Sequence, residues 1–334
     1  MPPKVSVSII TYNHEKYIAQ AIDSVLKQRV TFHYEIIIGD DCSSDGTRQI
    51  LQAYQQKYPD VIQLVLHPHR YQGVPGRLNN ITNLYACRGQ YVALLDGDDY
   101  WISEDKLQQQ VDFLDKNHNY ALAFHDAKIT FDNNSREEYR FSNRLDYLHQ
   151  NGTFTQEDLL SKGWFIPTSS VMYRNSYFDE FPDWFWDVMS ADTALHLLLS
   201  QHGNIYYACQ VYSVYRQHNQ SFISLYYHNT EISRSKINDL RIFRAKFLTP
   251  NSKRNFFQYL VLNYRIERRI AHYKHSVLHK LKREKQYVSM LRFSLKVISF
   301  SFCIFYLLLY VGKLKRFASR IYDGLFSRSA LVRS

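Results

Sequence analysis

The run Tyr91-Val92-Ala93-Leu94-Leu95-Asp96-Gly97-Asp98-Asp99-Tyr100-Trp101 constrains this chain more than any other stretch. Its first five residues are mostly apolar and read as a short buried strand. Three carboxylates then follow within four positions, at the strand's C-terminal end. Carboxylates this close repel one another and raise each other's pKa. A hard divalent cation removes that cost, and oxygen ligands suit magnesium or manganese. A polar turn rich in Asp and Gly would look the same in isolation, so the surrounding chain decides between the two.

The chain has 334 residues, enough for one large domain or two of ordinary size. Its 27 tyrosines and 21 phenylalanines favour a folded chain over a disordered one. Cys42, Cys87, Cys209 and Cys303 lie far apart, so no Cys-x-x-Cys pair suggests zinc or a redox dithiol. A reducing compartment is the simpler expectation. Met1-Pro2-Pro3-Lys4 leads straight into a strand-like run, which reads as no signal peptide. Charge is divided unevenly. Residues 253–334 carry 18 Lys/Arg against 3 Asp/Glu, whereas residues 1–252 carry 23 against 28. A slightly acidic body with a strongly basic tail points to nucleic acid or an anionic membrane surface as the tail's partner.

In chain order, Val5–Ile10 reads as a strand and Thr11-Tyr12-Asn13-His14 as a polar loop. Apolar residues at helical spacing predict a helix over roughly Glu15–Gln28. Tyr34–Gly39 is a second buried strand, ending in Asp40-Asp41. A helix over Thr47–Lys57, a strand over Val61–Leu66 and a helix over Leu78–Cys87 lead to the acidic strand. This alternation predicts a mainly parallel sheet covered by helices. Ligands of such sheets bind beyond the carboxyl ends of the strands. Thr11-Tyr12-Asn13, Asp40-Asp41 and Asp96-Gly97-Asp98-Asp99 all sit at such ends, so adjacent strands would bring them to one rim.

The second half is less regular. Helices are expected over Lys106–Asn117 and Thr155–Ser161, and strands over Tyr120–His125, Ser170–Tyr173 and Ile205–Ala208. Residues 132–151 read as a loop. An aromatic, acidic passage, Phe181–Asp187, precedes a helix that begins near Ser190. From about 226 to 285 the chain reads as helical and basic. Residues 297–312 then run 16 positions without a charge, about 24 Å as a helix. That falls short of a usual span; with aromatics inside and bases on both sides it predicts a helix lying in a membrane interface.

Val5–Asn13, the helix end Ser24–Gln28, Glu35–Thr47 and Leu94–Trp101, in that order, resemble glycosyltransferase family 2, with the GT-A fold. The resemblance covers about residues 4–221 and is nearest in style to enzymes of bacterial surface polysaccharide, capsule and lipopolysaccharide synthesis. It implies an α/β fold: a GT-A type, mainly parallel sheet flanked by helices, with a Rossmann-like nucleotide-binding half. That domain would span 1–225, with a nucleotide-sugar half to about 118 and an acceptor half over 119–225. A basic helical region, 226–334, would follow.

The resemblance further implies an inverting, metal-dependent transfer from a nucleotide diphosphate sugar, a UDP-sugar by default, to a glycan or lipid-linked acceptor. Thr11, Tyr12 and Asn13 would line the nucleotide pocket, and Asp41, more than Asp40, would bind base or ribose. Asp98 would ligate Mn2+ or Mg2+, and Asp96 would touch the ribose or a water on the metal; Asp99 is an alternative metal partner. A bound divalent ion offsets the charge growing on the departing diphosphate. An inverting transfer needs a base on the opposite face of the sugar. The family's acidic pair is Ala191-Asp192 here, so Asp192 is the candidate base, with Asp187 and Asp183 as reserves. Arg216 would face the pyrophosphate and His218 phosphate or metal; His67, His69 and Arg70 form a second basic group. Trp184 and Trp186 are candidates for a sugar-stacking wall, with core packing the alternative.

The expected location is the inner face of the cytoplasmic membrane, with the tail on anionic lipid and no nucleic acid bound. A sugar nucleotidyltransferase usually carries a Gly-rich phosphate loop early; the first loop here has no Gly. A nucleic-acid-binding protein acting through the tail is the other alternative, which the Phe- and Leu-rich 297–311 run disfavours.

Overall fold

The computed structural model describes residues 2–132, 136–176, 180–219, 230–248 and 256–283. Two compact units are present, Met1–Ile266 and Glu267–Ser334. The first holds a ten-stranded mixed sheet.

Four parallel strands form its first half, in the order β3-β2-β1-β4. They are β1 (Val5–Thr11), β2 (Tyr34–Asp40), β3 (Ile62–Leu66) and β4 (Tyr91–Asp96). Alternation on β1 explains its two faces. Val5, Val7 and Ile9 are wholly buried against Ile18, Ala21, Ile22 and Val25 of α1 (Ile18–Leu26). On the other face, Ser8 receives a hydrogen bond from Asn83 of α3 (Arg77–Ala86). Helix α2 (Thr47–Lys57) adds Leu51 to the same core as α1. So does α4 (Lys106–Lys116), through Leu107, Val111 and Leu114.

Register places the strand ends together. Ile10 pairs with Asp96 and Thr11 with Asp40, so the three polar clusters do meet at one rim. Helix α1 begins at Ile18 rather than near Glu15, because His14–Tyr17 form a tight turn in which the His14 carbonyl accepts the Tyr17 and Ile18 amides.

Beyond β4 the sheet departs from the parallel expectation. The path runs β4-β9-β6-β10-β5, through β5 (Tyr100–Trp101), β6 (Tyr120–Phe131), β9 (Met172–Arg174) and β10 (Asn204–Gln217). Strand β9 is antiparallel to both β4 and β6, and β5 is antiparallel to β10. Only β6 and β10 run parallel there. Two short edge strands, β7 (Tyr139–Arg140) and β8 (Gly152–Phe154), pair with β6 and β10; β7 lies within residues 132–151, which are therefore not all loop. Strand β10 spans 14 residues, far more than expected, and shifts register against β6 at three places. Bulges of this kind bend and re-aim a strand. They carry the end of β10 back to the acidic turn, where Val214 pairs with Tyr100.

Three helices follow in the second half: α5 (Gln156–Lys162), α6 (Trp184–Asp187) and α7 (Ala191–Leu199). Then come α8 (Thr230–Phe247) and α9 (Phe256–Arg283). The first unit continues past the boundary expected at 225, because α8 packs on it. Phe243 and Phe247 meet Trp184 edge-on, and Asp239 bonds the backbone ahead of α7. Among the described residues no helix is long and apolar enough to cross a membrane. The membrane-interface segment expected at 297–312 lies outside the described residues.

Candidate active site

The acidic turn after β4 is held close to β1. Gly97 donates its amide to the Ile10 carbonyl at 2.9 Å. A Cβ on Gly97 would stand 2.9 Å from the Thr11 side chain and 3.0 Å from His14 Nδ1. Glycine is therefore what lets the turn lie against the first loop.

The three carboxylates divide their work. Asp98 Oδ2 lies 2.9 Å from His218 Nε2 and 3.8 Å from His14 Nε2. Burial alone would push the Asp98 carboxyl up, but the His218 hydrogen bond and the two imidazoles outweigh it and hold it below its ordinary value. Asp96 goes the other way. Burial, and then the charges of Asp98 and Asp192, push it up to about 8. Asp99 is held by the backbone of β10. It is 1% exposed, and its Oδ1 accepts the Arg216 amide at 2.9 Å, tying the end of β10 to the turn.

One ligand atom each from His14, Asp98 and His218 lies within 4.8 Å of the others. Two imidazoles and a carboxylate form a donor set that fits a divalent ion, and a cation nearby would relieve Asp96, which burial first and then the charges of Asp98 and Asp192 raise. His218 was expected from sequence; His14 was not singled out as a ligand. A lone histidine in a loop carries no spacing signal, and only the fold puts it opposite Asp98.

Arg216 sits behind this group rather than open to it. Its guanidinium bonds the Asp98 carbonyl at 2.8 Å and Gln20 at 2.6 Å, and lies 3.6 Å from Asp132. It also stacks over Tyr17, 4.6 Å from the ring centroid. Tyr17 in turn bonds Asp132 and packs against His218 at 4.8 Å.

The first loop and the β2 end form a second cluster. Asn13, in a left-handed conformation (φ 54°), accepts the Ser44 amide at 2.8 Å and donates its own amide to Ser43 Oγ. It joins the two loops. Thr11 Oγ1 is buried without a hydrogen-bond partner. Asp40 is wholly buried and bonded to Arg48 at 2.6 Å, so it is structural. Asp41 faces Arg70, 3.4 Å away, and the Arg70 guanidinium also lies 3.8 Å from the centroid of the Tyr12 ring. Burial raises the Asp41 carboxyl, and Arg70 works against the rise. Arg70 thus serves Asp41 and Tyr12; His69 is exposed.

On the far side, Asp192 opens α7 and accepts the Thr193 amide at 2.8 Å. Burial raises its carboxyl, opposed by that bond, Arg77 and Lys236. The approach to α7 is fixed by Asp239, which accepts the Met189 and Ser190 amides at 2.9 and 3.0 Å. Arg77 is 2% exposed, bonds the Val188 carbonyl and lies over the Phe185 ring at 4.8 Å. Neither Asp239 nor Arg77 was legible as a site residue. Asp183 and Asp187, the reserve carboxylates, are exposed. The tryptophans separate: Trp184 belongs to the contact with α8, whereas Trp186 pairs with the exposed Tyr71 at 6.0 Å.

The family model of glycosyl transferase family 2 matches residues 6–181, more than half of the chain. The chain belongs to that family. The match covers the first loop, the Asp40-Asp41 strand end and the acidic turn. An uncharacterized protein of Mycobacterium tuberculosis is 33% identical over 215 residues, 64% of this chain and 59% of its own length. The poly(ribitol-phosphate) beta-N-acetylglucosaminyltransferase TarS of Staphylococcus aureus is 36% identical over 121 residues, 36% of this chain and 20% of TarS. The crystal structure of TarS 1-349 aligns with a TM-score of 0.61 at 18% identity, covering 89% of this chain and 81% of that one. The mannosyltransferase PcManGT of Pyrobaculum calidifontis, in complex with GDP-Man and Mn2+, aligns with a TM-score of 0.56 at 16% identity, covering 94% and 81%. The likeness to these structures establishes the GT-A fold. The chain spans less than two thirds of the length of the curated relatives it matches.

Proposed function

We propose that this family 2 protein is an inverting, metal-dependent glycosyltransferase. It moves a sugar from a nucleotide diphosphate sugar to a hydroxyl of a glycan or lipid-linked acceptor in surface polysaccharide synthesis. The observation that carries this is the position of Asp96, which senses the charges of both Asp98 and Asp192. On this reading the acidic turn and the half-buried carboxylate of α7 act on one substrate. The relatives support the donor class: solved complexes of TarS hold UDP and UDP-GlcNAc, and that of PcManGT holds GDP-Man with Mn2+.

In this reading Thr11, Tyr12, Asn13 and Asp41 receive the nucleoside, and Asp96 the ribose. Asp98 and His218 hold the divalent ion, manganese or magnesium. That ion supplies Lewis-acid neutralisation of the departing diphosphate. Arg216 keeps the turn in place through the Asp98 carbonyl and adds positive charge beside it. Asp192 takes the proton from the acceptor hydroxyl as its oxygen bonds the anomeric carbon and the carbon–diphosphate bond breaks on the opposite face. A carboxyl raised by burial is the better base for that task. Tyr71 and Trp186 are the aromatic surface offered to the acceptor.

The basic 253–334 region is proposed to hold the enzyme at an anionic membrane on its cytoplasmic face. Co-sedimentation with anionic but not neutral vesicles checks this.

The deciding experiment is a panel of nucleotide sugars with manganese, followed by release of nucleoside diphosphate. Wild type should hydrolyse one donor slowly and transfer when acceptor is supplied. Asp98→Ala should lose both, and Asp192→Asn should keep donor binding while transfer falls by roughly 10²–10⁴-fold. No binding of any nucleotide sugar, with or without metal, would overturn the reading.

A further inference from the structure

His14 is a built position, not a loop residue that happens to face Asp98. Its amide donates to Thr47 Oγ1 at 2.9 Å, and its carbonyl accepts the Tyr17 and Ile18 amides that start α1. Asn13 before it is clamped to Ser43 and Ser44. Its ring is backed by Tyr17 at 6.3 Å, and the same tyrosine backs His218 at 4.8 Å. Tyr17 is itself pinned by Asp132 and covered by Arg216. Both imidazoles are thus oriented by one fixed wall.

Three ligand atoms come from three separate elements: the loop after β1, the turn after β4 and the end of β10. Two donors at right angles on a first-row ion stand about 3 Å apart, given metal–ligand distances near 2.0–2.2 Å. The observed spacings to Asp98 Oδ2, 2.9 Å from His218 and 3.8 Å from His14, already approach this. We infer that His14, Asp98 and His218 form a complete three-ligand site that captures a first-row transition ion before any donor arrives, and prefers it to magnesium. The inference rests on the reading above that Asp98 and His218 hold the ion, and adds His14, the order of binding and the choice of metal.

The chemistry argues for both additions. Magnesium prefers oxygen donors, keeps several waters, and is usually bound by one or two carboxylates plus substrate phosphate. A site with a single protein carboxylate would therefore depend on the donor to retain its ion. Two imidazoles alter that balance, because they suit manganese, cobalt or zinc better than magnesium. Three protein ligands would hold the ion and still leave it room to take up a diphosphate.

The test uses the full chain without nucleotide, and manganese chloride or magnesium chloride as the only additive. Wild type should bind manganese at least roughly tenfold more tightly than magnesium by calorimetry. Pulsed electron paramagnetic resonance of the bound manganese should show coupling to two imidazole nitrogens. His14→Gln should remove one of them and weaken manganese binding by roughly tenfold or more; His218→Gln should remove the other. Equal affinity for both ions in wild type, or coupling to one nitrogen only, would overturn the inference without recourse to any variant. A His14→Gln chain that matches wild type, beside Asp98→Asn and His218→Gln chains that lose the ion, would overturn it while leaving the proposed metal role of Asp98 and His218 intact. Failure of all three variants to alter manganese binding would overturn both.

Discussion

Arg70 serves two neighbours: it pairs with the buried Asp41 and covers the face of Tyr12. Removing it leaves a buried carboxylate without a countercharge, and its pKa climbs further. Arg70→Ala should raise the donor KM by roughly tenfold near neutral pH while kcat stays within about twofold, read from initial rates. The change would fall on binding because Arg70 touches the nucleotide side and not Asp192. His196 offers a residue-scale test of stability. It is buried on α7, its Nε2 has no partner, and burial lowers it to about 3 from 6.5. The folded state thus favours the neutral ring. Its stability is whole above pH 6.5 and drains as pH falls toward 3, by at most about 1.4 kcal/mol per pH unit for one proton. His196→Leu should flatten the stability–pH slope between pH 6 and 4, measured by urea unfolding.

Among the elements, the β4 turn and the start of α7 are the sensitive joints. Gly97→Ala would place a methyl group against Thr11 and His14. It should push the first loop away from Asp98 and cut manganese affinity, with the melting temperature falling by several degrees. Asp239→Ala would strip the Met189 and Ser190 amides of their acceptor, costing about 1–3 kcal/mol. Transfer should fall with it, since the turn that presents Asp192 loosens; donor hydrolysis and denaturant melts report the two effects separately. The same joints show what sequence can and cannot disclose. The four parallel strands, and the acidic ends of β2 and β4, are legible because apolar runs stop sharply at Asp40 and Asp96. Sequence predicts only four residues of strand β10, since its register shifts break the alternation that marks a strand. Asp239 lies in a basic helix with no motif, so nothing local links it to α7. Trp184 and Trp186 are two positions apart and alike in sequence; only the packing of α8 on Trp184 tells them apart.

At the scale of the molecule, the first compact unit runs to Ile266. A chain ending at residue 225 would lack α8, and with it Asp239 and the Phe243 and Phe247 contacts. It should aggregate, or melt more than about 10 °C below a chain ending at Arg283, and show no donor hydrolysis. The longer truncation should keep that hydrolysis. Comparing the two by thermal melting and diphosphate release tests whether α8 is structural.

The dependence of α7 on Asp239 has a temporal side. A polypeptide is made from its N-terminus, and domains tend to fold as they emerge. The loop with His14, the turn with Asp98 and the pocket around Asp41 are all synthesised well before α8. The residue that steadies the approach to Asp192 leaves the ribosome only afterwards. On the proposed reading, the groups that would meet the nucleotide are therefore made before the one that steadies the proposed base. Asp192 would be steadied only once α8 has emerged and packed.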